Sequence, residues 1–285
     1  MLRRLLPLAV VVALTTGCGL LPGDVDGTPR ERFSEAVADV RAAIEEEVQR
    51  AVEEAQRQTP DQGDVAEGDR TAPQVDAIRT DTNTAFEYEE YTRTLEQVIG
   101  SLEEYWATAL PEAFGVEFTK PSRYAYYRPE QGDGPRCGPE RAPAKNAFYC
   151  PAGDFIAWDE TGLMIPYYVS AGDFAAAFVL AHEFGHAMQF RLPRQERLTI
   201  LSELQADCFA GAWSRHVQDQ GLLEAGDLDE ATFAVFSARD VPGTPFTDPA
   251  AHGSGFERTR AFTDGYEGGP GRCYPAPEDD WVVRR

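Results

Sequence analysis

Residues 181–186 read Ala-His-Glu-Phe-Gly-His, and this stretch decides the structure around it. His182 and His186 are four residues apart, so on an α-helix they stack one turn apart on the same face. Glu183 lies about 100° further round such a helix than His182. Two imidazoles in this arrangement can bind one metal ion, and the neighbouring carboxylate can then reach a water molecule beside the metal. The alternative is a pair of buried histidines on an apolar helix.

The residues on either side of the motif predict a helix over residues 173–191. Its apolar stripe consists of Phe174, Ala177, Phe178, Ala181 and Phe184. Ser170 or Asp173 can cap the start, and Pro193 blocks continuation at the other end. Gly185 costs the helix about 1 kcal/mol relative to alanine, which indicates that a neighbouring element comes close at that point.

A second apolar, helix-forming segment supplies a third candidate ligand. Residues 203–211 read Glu-Leu-Gln-Ala-Asp-Cys-Phe-Ala-Gly, and Glu203 follows His186 by 203 − 186 = 17 residues. That separation allows one helix to end and a second to return antiparallel, with the carboxylate facing the histidines. Two histidines and one glutamate leave the fourth tetrahedral position open, as in catalytic zinc sites. Asp207, one turn beyond Glu203, can accept a hydrogen bond from the outer ring nitrogen of a ligating histidine. The alternative for both carboxylates is a solvated acidic face.

These residues carry a resemblance to a known family. H-E-F-G-H followed by E-L-Q-A-D-C-F-A-G resembles the bacterial family of predicted neutral zinc metallopeptidases, within the gluzincin type of H-E-x-x-H enzymes. Weaker matches include Cys150-Pro151, His252-Gly253-Ser254 and Arg258, so the resemblance spans residues 86–275. It implies an α+β, zincin-like fold in which a small β-sheet packs over the H-E-x-x-H helix and the C-terminal part is mainly helical.

The resemblance also implies peptide-bond hydrolysis at a zinc ion. The predicted zinc ligands are His182, His186 and Glu203. Zn²⁺ lowers the pKa of a bound water to about 7, and Glu183 is the predicted general base that passes the proton to the leaving amine. His252 is the first candidate for stabilising the oxyanion, with Tyr167 or Tyr168 behind it, whereas His216 is predicted to lie at the surface. Manganese or cobalt can substitute for zinc at ligands of this type.

Composition limits the classes of partner. The chain has a formal net charge of −22 and 42% hydrophobic residues, enough for one sizeable core with accessory segments. Such an acidic surface repels nucleic acid. The sequence also contains no basic cluster suited to phosphate contacts, so we expect no nucleic-acid partner.

Residues 1–18 predict an export signal. Arg3 and Arg4 precede an apolar run, Leu5–Leu14, that is too short to remain as a membrane-spanning helix. The closing Gly17-Cys18 resembles a bacterial lipobox, which predicts lipidation at Cys18 and an extracytoplasmic, membrane-anchored protein. Thr15 departs from that pattern, because such sites usually carry leucine there. Ordinary secretion and a retained anchor are the alternatives.

The remaining chain divides into two predicted parts. Residues 19–85 contain a tether, a charged helix over Arg30–Gln58 and an acidic linker, and residues 86–285 form the metallopeptidase domain. The apolar positions of the charged helix recur at three- and four-residue spacing. That stripe can bind a partner helix, pack on its own domain or form a stalk.

Apart from Cys18, the chain contains Cys137, Cys150, Cys208 and Cys273. An even number of cysteines in an exported chain predicts disulfides with three possible connectivities. We favour Cys137 with Cys150 and Cys208 with Cys273. Cys208 as a zinc ligand is the alternative, although it lies off the face shared by Glu203 and Asp207.

Other elements follow from local pattern. A helix is predicted over residues 84–110, and strands over Arg123–Arg128, Ala147–Cys150 and Phe155–Trp158. Since an edge strand in zincins can pair with the substrate backbone, Phe155–Trp158 is the candidate edge, with a central strand as the alternative. A short helix over Asp229–Arg239 is predicted to bury Phe233 and Phe236, and Ser254 with Glu257 fits a capping box for a helix beginning at Gly255.

Two functional classes remain. The first is a membrane-tethered zinc metalloendopeptidase acting on proteins outside the cytoplasm. The second is a non-catalytic, zinc-containing lipoprotein of the cell envelope that binds a protein partner through the helix Arg30–Gln58. The presence of Glu183 favours the enzyme, because a protein that only binds a partner needs no base beside the metal.

Overall fold

The structure, a computed structural model, describes residues 29–59, 62–65, 86–130 and 134–283 of the 285-residue chain. The predicted export signal, the lipidation site Cys18 and most of the predicted linker lie outside these residues. By its contacts the chain divides into two compact units, residues 1–41 and 42–285. The H-E-x-x-H motif lies in the second unit.

The described chain is mainly helical and contains a small sheet, so the predicted α+β class is correct. The helices are α1 (Pro29–Gln58), α2 (Tyr88–Phe114), α3 (Ile165–Ala171), α4 (Asp173–Arg191), α5 (Thr199–Asp219), α6 (Asp227–Ser237), α7 (Gly255–Gly268) and α8 (Glu278–Trp281). The strands are β1 (Gln62–Asp64), β2 (Arg123–Tyr127), β3 (Arg136–Cys137), β4 (Glu140–Arg141), β5 (Ala147–Cys150) and β6 (Phe155–Asp159). A π-helical turn, Glu160–Met164, precedes α3, and a 3-10 turn, Pro270–Cys273, follows α7.

The main sheet has the strand order β1-β2-β6-β5, and β6 runs parallel to β2 and antiparallel to β5. Of the two alternatives for Phe155–Trp158, the central strand is therefore confirmed and the edge strand is wrong. All five residues of β6, including Asp159, are buried, since the strand has hydrogen-bonded neighbours on both sides. The edge strand on that side of the sheet is β5.

Helix α4 has the predicted bounds, Asp173–Arg191, but the predicted cap by Ser170 or Asp173 is wrong. The N-cap residue is Gly172, no side chain caps the helix, and the hydroxyl of Ser170 donates to the carbonyl of Pro166 instead. A Cβ atom added at Gly185 would lie 2.9 Å from the Cα atom of Ala206 in α5. The predicted close neighbour of Gly185 is therefore the helix that carries Glu203. A Cβ atom at Gly265 of α7 would likewise lie 1.8 Å from the carbonyl oxygen of Cys208. Helices α4, α5 and α7 thus pack backbone against backbone, which holds the side chains of the motif at short range.

Helix α2 begins at Tyr88 and ends at Phe114, later at both ends than the predicted 84–110. Pro111 lies inside the helix without ending it, and Gly115 ends it with a φ of 66°, a conformation that glycine adopts without strain. Local propensity therefore misplaced the boundaries but not the helix.

The prediction that Phe233 and Phe236 are buried is wrong, since each is 50% exposed. The buried face of α6 is formed instead by Ala231, Ala234 and Val235. Both sets recur at helical spacing, and the smaller side chains allow α6 to approach its neighbours more closely. The two phenylalanines consequently face solvent.

Both favoured disulfides are present in the structure, Cys137–Cys150 and Cys208–Cys273. The second joins α5 to the 3-10 turn that follows α7. Because Cys208 is bonded in this way, its alternative role as a zinc ligand is excluded. The capping box of Ser254 and Glu257 at the start of α7 is also confirmed.

Helix α1 has the predicted extent to within one residue. Near its C-terminal end, Ala51 and Ala55 are buried, whereas Val37, Val40 and Ile44 are 50%, 56% and 38% exposed. The apolar stripe is thus covered only in part. Among the described residues, no helix combines the length and the apolar character needed to cross a bilayer.

Candidate active site

Two helices bring three metal-ligand atoms together. His182 Nε2 lies 3.1 Å from His186 Nε2 and 3.3 Å from Glu203 Oε2, and His186 Nε2 lies 3.4 Å from Glu203 Oε1. Ligand atoms about 2.0–2.1 Å from a tetrahedral zinc ion are separated by about 3.3–3.4 Å. The predicted set of two imidazoles and one carboxylate therefore has the spacing that a zinc ion requires.

The outer nitrogen of His182 is held by a buried ion pair. Its Nδ1 lies 2.8 Å from Asp207 Oδ1, and the guanidinium of Arg258 donates to both oxygens of that carboxylate, each at 2.8 Å. Arg258 also donates to the carbonyl of Ala238 at 2.7 Å. The carboxylate accepts a hydrogen bond from the N–H at Nδ1, so the lone pair of Nε2 is directed at the metal position. Asp207 thus contacts the outer nitrogen of a candidate ligand, as predicted from the sequence. The role of Arg258 as the partner of Asp207 was not predicted.

The outer nitrogen of His186 has a different partner. Its Nδ1 lies 3.0 Å from Oε1 of Gln189, whose Nε2 donates to the carbonyl of Ser202 at 2.5 Å. The two histidines are therefore oriented by one charged and one neutral side chain.

The electrostatics of the site favour a cation. Burial lowers the pKa of His182, but the carboxylates of Asp207 and Glu203 outweigh it and raise that pKa to about 10. Burial raises the pKa of Glu203, yet His186 and His182 hold it well below its ordinary value. Burial also raises the pKa of Asp207, and Arg258 and His182 outweigh it in the downward direction. The negative potential that stabilises a proton on these imidazoles equally stabilises a metal ion bound to them.

Glu183 is 6% exposed and points toward β5. The backbone N–H of Tyr149 donates to its Oε2 at 2.9 Å. Tyr149 is itself held at its ring, where Arg191 donates to the hydroxyl at 3.0 Å and the hydroxyl donates to Asp154 at 2.8 Å. Arg191, the last residue of α4, thus helps to hold β5 in place, and the backbone of β5 orients the carboxylate of Glu183.

A cavity of ≈ 650 Å³ opens beside these residues, with β5 on its lining and residues of α6 among its other walls. His252 also lines it, and the side chain of His252 is 52% exposed. The backbone N–H groups of His252 and Gly253 donate to the carboxylate of Asp240, and His252 Nδ1 lies 3.6 Å from Asp240 Oδ1. Asp240 therefore fixes the loop that presents His252 to the cavity.

The structure separates the two tyrosine candidates. Tyr167 lines the cavity, and burial raises the pKa of its hydroxyl. Tyr168 packs edge-on against Phe86 and Tyr91, away from the cavity lining. His216 is partly exposed, as predicted for a residue at the surface, and its ring lies 5.1 Å from that of Tyr105.

Sequence reasoning missed the roles of Gln189, Arg258, Asp240 and the Tyr149 backbone. Gln189 was detectable in principle, because it follows His186 by three residues and so lies on the same face of the helix. Arg258 is 51 residues from Asp207, and nothing local in the sequence joins the two.

Comparisons with known proteins agree with this geometry. A family profile described as "Putative neutral zinc metallopeptidase" matches residues 58–274. YpfJ of Escherichia coli strain K12 is 32% identical over 203 residues, which cover 62% of this chain and 68% of YpfJ. Rv2575 of Mycobacterium tuberculosis is 29% identical over 204 residues, which cover 61% and 66% of the two chains. Both relatives bear names that state no activity. No solved structure matches the chain. The match over most of the chain, together with the ligand triad that the fold assembles, identifies the protein as a member of this neutral zinc metallopeptidase family.

Proposed function

We propose that the protein is an extracytoplasmic zinc metalloendopeptidase with a zincin-like site, tethered to the membrane through lipidated Cys18. The observation that carries this proposal is the spacing of the three ligand atoms beside Glu183. His182, His186 and Glu203 hold the metal. Zinc, when bound there, supplies the Lewis acidity that brings the pKa of a water molecule to about 7.

Glu183 acts as the general base in this proposal. Tyr149 N–H occupies its Oε2, which orients the carboxylate and leaves Oε1 as the oxygen that takes up the proton. From there the proton passes to the nitrogen of the departing amine, so that a carboxylic acid and an amine are released. Burial of Glu183 limits the water around it and keeps the carboxylate in one orientation.

The open edge of β5 is the proposed docking place for the peptide backbone, in place of the central strand β6. Asn146 accepts a hydrogen bond from Asp159 N–H at 2.8 Å on the β6 side, and neighbouring residues of a strand alternate in direction. The N–H and C=O of Ala147 therefore face away from β6, toward the cavity. An extended substrate can pair with them by strand addition, which brings its carbonyls past the ligand triad.

His252 is the proposed donor to the oxyanion that forms when the carbonyl is attacked. It lines the cavity on a loop fixed by Asp240 and is accessible to a bound peptide. Removal of a donor of this kind lowers kcat by about 10²–10³-fold. Tyr167 is the second candidate, because it lines the same cavity.

The tether rests on the Gly17-Cys18 pattern, and the two disulfides support an oxidising compartment outside the cytoplasm. Substitution Cys18→Ser is expected to move the protein from the membrane fraction to the soluble extracytoplasmic fraction and to abolish incorporation of labelled fatty acid. Label in Cys18→Ser equal to that in the wild type would contradict lipidation at this residue.

A second candidate function is partner binding without catalysis. It is favoured by the exposed Val37, Val40 and Ile44, which recur on one side of α1 at helical spacing. A partner helix is the occupant that such a stripe fits best.

The experiment that separates the two candidates is cleavage of a peptide library by wild type and by Glu183→Gln, with zinc content measured on both. The peptidase predicts one zinc in each protein and cleavage only by the wild type. Zinc in both with cleavage by neither supports the binding protein instead.

A further inference from the structure

We propose that Gln189 is a positioning residue of the metal site, setting the tautomer of His186 and holding that imidazole in register with Glu203. This inference deepens the proposed function and rests on the zinc site described above. Gln189 lies one turn beyond His186 on α4 and is 7% exposed. Its amide contacts groups on both helices that supply the ligands.

The partners of the amide determine its orientation. The backbone oxygen of Ser202 can only accept a hydrogen bond, so the atom of Gln189 that lies 2.5 Å from it must be the NH₂ nitrogen. The carbonyl oxygen of the amide consequently faces His186 Nδ1 at 3.0 Å. An oxygen in that place accepts only, which requires Nδ1 to carry a proton.

The tautomer of His186 follows from this chain of donors. A neutral imidazole protonated on Nδ1 carries its lone pair on Nε2, the atom 3.4 Å from Glu203 Oε1 and 3.1 Å from His182 Nε2. That lone pair therefore points to the metal position. Without the amide, no acceptor holds the proton on Nδ1, and in the other tautomer Nε2 carries the proton and cannot bind a metal.

The same amide links the two ligand-bearing helices. Ser202 immediately precedes Glu203 in the first part of α5. One hydrogen-bonded side chain thus joins the imidazole of His186 to the backbone next to the carboxylate ligand. The distance between these two ligands is set partly by Gln189, in addition to the packing of Gly185 on α5.

The side chain of Gln189 is uncharged, and this suits its two hydrogen-bond partners. His182 is already backed by the buried carboxylate of Asp207, whose charge Arg258 balances. A second carboxylate behind His186 would face the carbonyl of Ser202 and place two acceptors in contact. An amide is the group that satisfies both an N–H donor and a C=O acceptor here without adding charge.

The test compares Gln189→Leu with a matched control, Gln205→Leu, in the full chain. Gln205 is a glutamine of α5 that is 2% exposed and donates to the carbonyl of Cys273 at 2.9 Å. Its amide is thus bonded away from the ligating histidines. Zinc affinity is measured by competition with a chromophoric chelator, and the ligand-field spectrum is recorded on the cobalt-substituted proteins. Urea unfolding in a metal chelator gives the stability of each variant.

We expect Gln189→Leu to bind zinc about 10–100-fold more weakly than wild type and to show a changed cobalt spectrum. Gln205→Leu is expected to lose stability as a buried glutamine should, while its zinc affinity and cobalt spectrum stay as in wild type. The proposal is overturned if zinc affinity in Gln189→Leu stays within twofold of wild type, or if Gln205→Leu weakens zinc binding equally. Wild-type protein that binds no zinc would refute the metal site itself, and that result is distinct from the other two.

Discussion

Substitution Arg258→Leu removes the cation that balances a carboxylate buried between α5 and α7. Arg258 and Asp207 are 2% and 0% exposed at their side chains, and two hydrogen bonds of 2.8 Å join them. Removing one partner leaves the charge of Asp207 in an apolar interior with only His182 to compensate it. Breaking a buried pair in this way costs about 3–5 kcal/mol of stability, and we expect a loss in that range.

The surface pair Arg215–Asp219 provides the matched control. It joins residues four apart on α5 at 2.8 Å, but its side chains are 50% and 59% exposed. An exposed pair of this kind contributes about 0.3–0.5 kcal/mol. Asp219→Ala, which leaves the guanidinium of Arg215 over the ring of Tyr266, is therefore expected to be nearly neutral. The two ion pairs have similar N–O distances but differ about tenfold in predicted cost. A measured difference of that size would therefore show that burial, and not hydrogen-bond geometry, determines the loss of stability.

The assay is urea unfolding followed by tryptophan fluorescence, with a metal chelator present so that metal binding does not contribute to stability. With an m-value of about 3 kcal/mol/M for a chain of this size, the midpoint of Arg258→Leu should fall by about 1–1.7 M. The double variant Arg258→Leu/Asp207→Leu should recover part of that loss, because the isolated buried charge is gone. A loss below about 1 kcal/mol for Arg258→Leu would refute this account.

Three further predictions concern loop closure, titration and helix packing. Replacing both cysteines of the Cys208–Cys273 disulfide by serine should lower the free energy of unfolding by about 4 kcal/mol, because the bond closes a sequence separation of 65. The same change at Cys137–Cys150, with a separation of 13, should cost about 3 kcal/mol. Urea unfolding of the two variants measures both losses, and the reverse order would contradict the loop-closure argument. Burial and neighbouring carboxylates raise the pKa of Glu230 to about 7, so its stabilising contribution is present below its unfolded pKa of about 4.3 and is lost as pH rises through 7. A Glu230→Gln variant should therefore have the same free energy of unfolding as the wild type near pH 4 and a higher one at pH 8. A difference between the two proteins that stays constant from pH 4 to pH 8 in urea unfolding would disprove the raised pKa of Glu230. A Cβ atom at Gly185 would lie 2.9 Å from Ala206 Cα, so Gly185→Ala should destabilise the protein by about 1–3 kcal/mol. A Cβ atom at Gly100 meets nothing within 4 Å, so Gly100→Ala should stabilise it by up to about 1 kcal/mol. Equal effects of the two substitutions in thermal unfolding would contradict the packing described.

Local chemistry explains which elements could be predicted. The C-terminal end of α4 follows from Pro193 and its body from the apolar stripe, whereas its start follows from no side-chain cap. The start of α7 follows from the capping box at Ser254. The approach of α5 at Gly185 was also foreseeable, because a glycine inside a helix has an energetic cost that a close neighbour explains.

The errors concern properties that depend on distant parts of the chain. Whether β6 is central or at an edge depends on strand order, which its own residues do not encode. For α6, Phe233 and Phe236 compete with a stripe of smaller residues, and only the neighbouring helices decide which face is buried. The pairing of Arg258 with Asp207 likewise requires α7 to pack against α5.

The candidate metal ligands were predictable because their separations along the chain are informative. His182 and His186 share a face of one helix, and Glu203 falls at the separation that an antiparallel return allows. Of the groups that orient them, only Asp207 was predicted, although the spacing of Gln189 from His186 also pointed to it. Orientation depends on single hydrogen bonds, such as that from the Tyr149 backbone to Glu183, which no residue pattern specifies.

The measurement that tests the central claim most directly is zinc K-edge X-ray absorption on the purified chain, with metal content determined on wild type and Glu203→Ala. We predict one zinc per chain in the wild type, bound by two imidazole nitrogens and carboxylate or water oxygens at about 2.0–2.2 Å, and a marked loss of zinc in Glu203→Ala. A sulfur shell at about 2.3 Å, or zinc content unchanged by Glu203→Ala, would contradict the assignment of His182, His186 and Glu203 as the metal site.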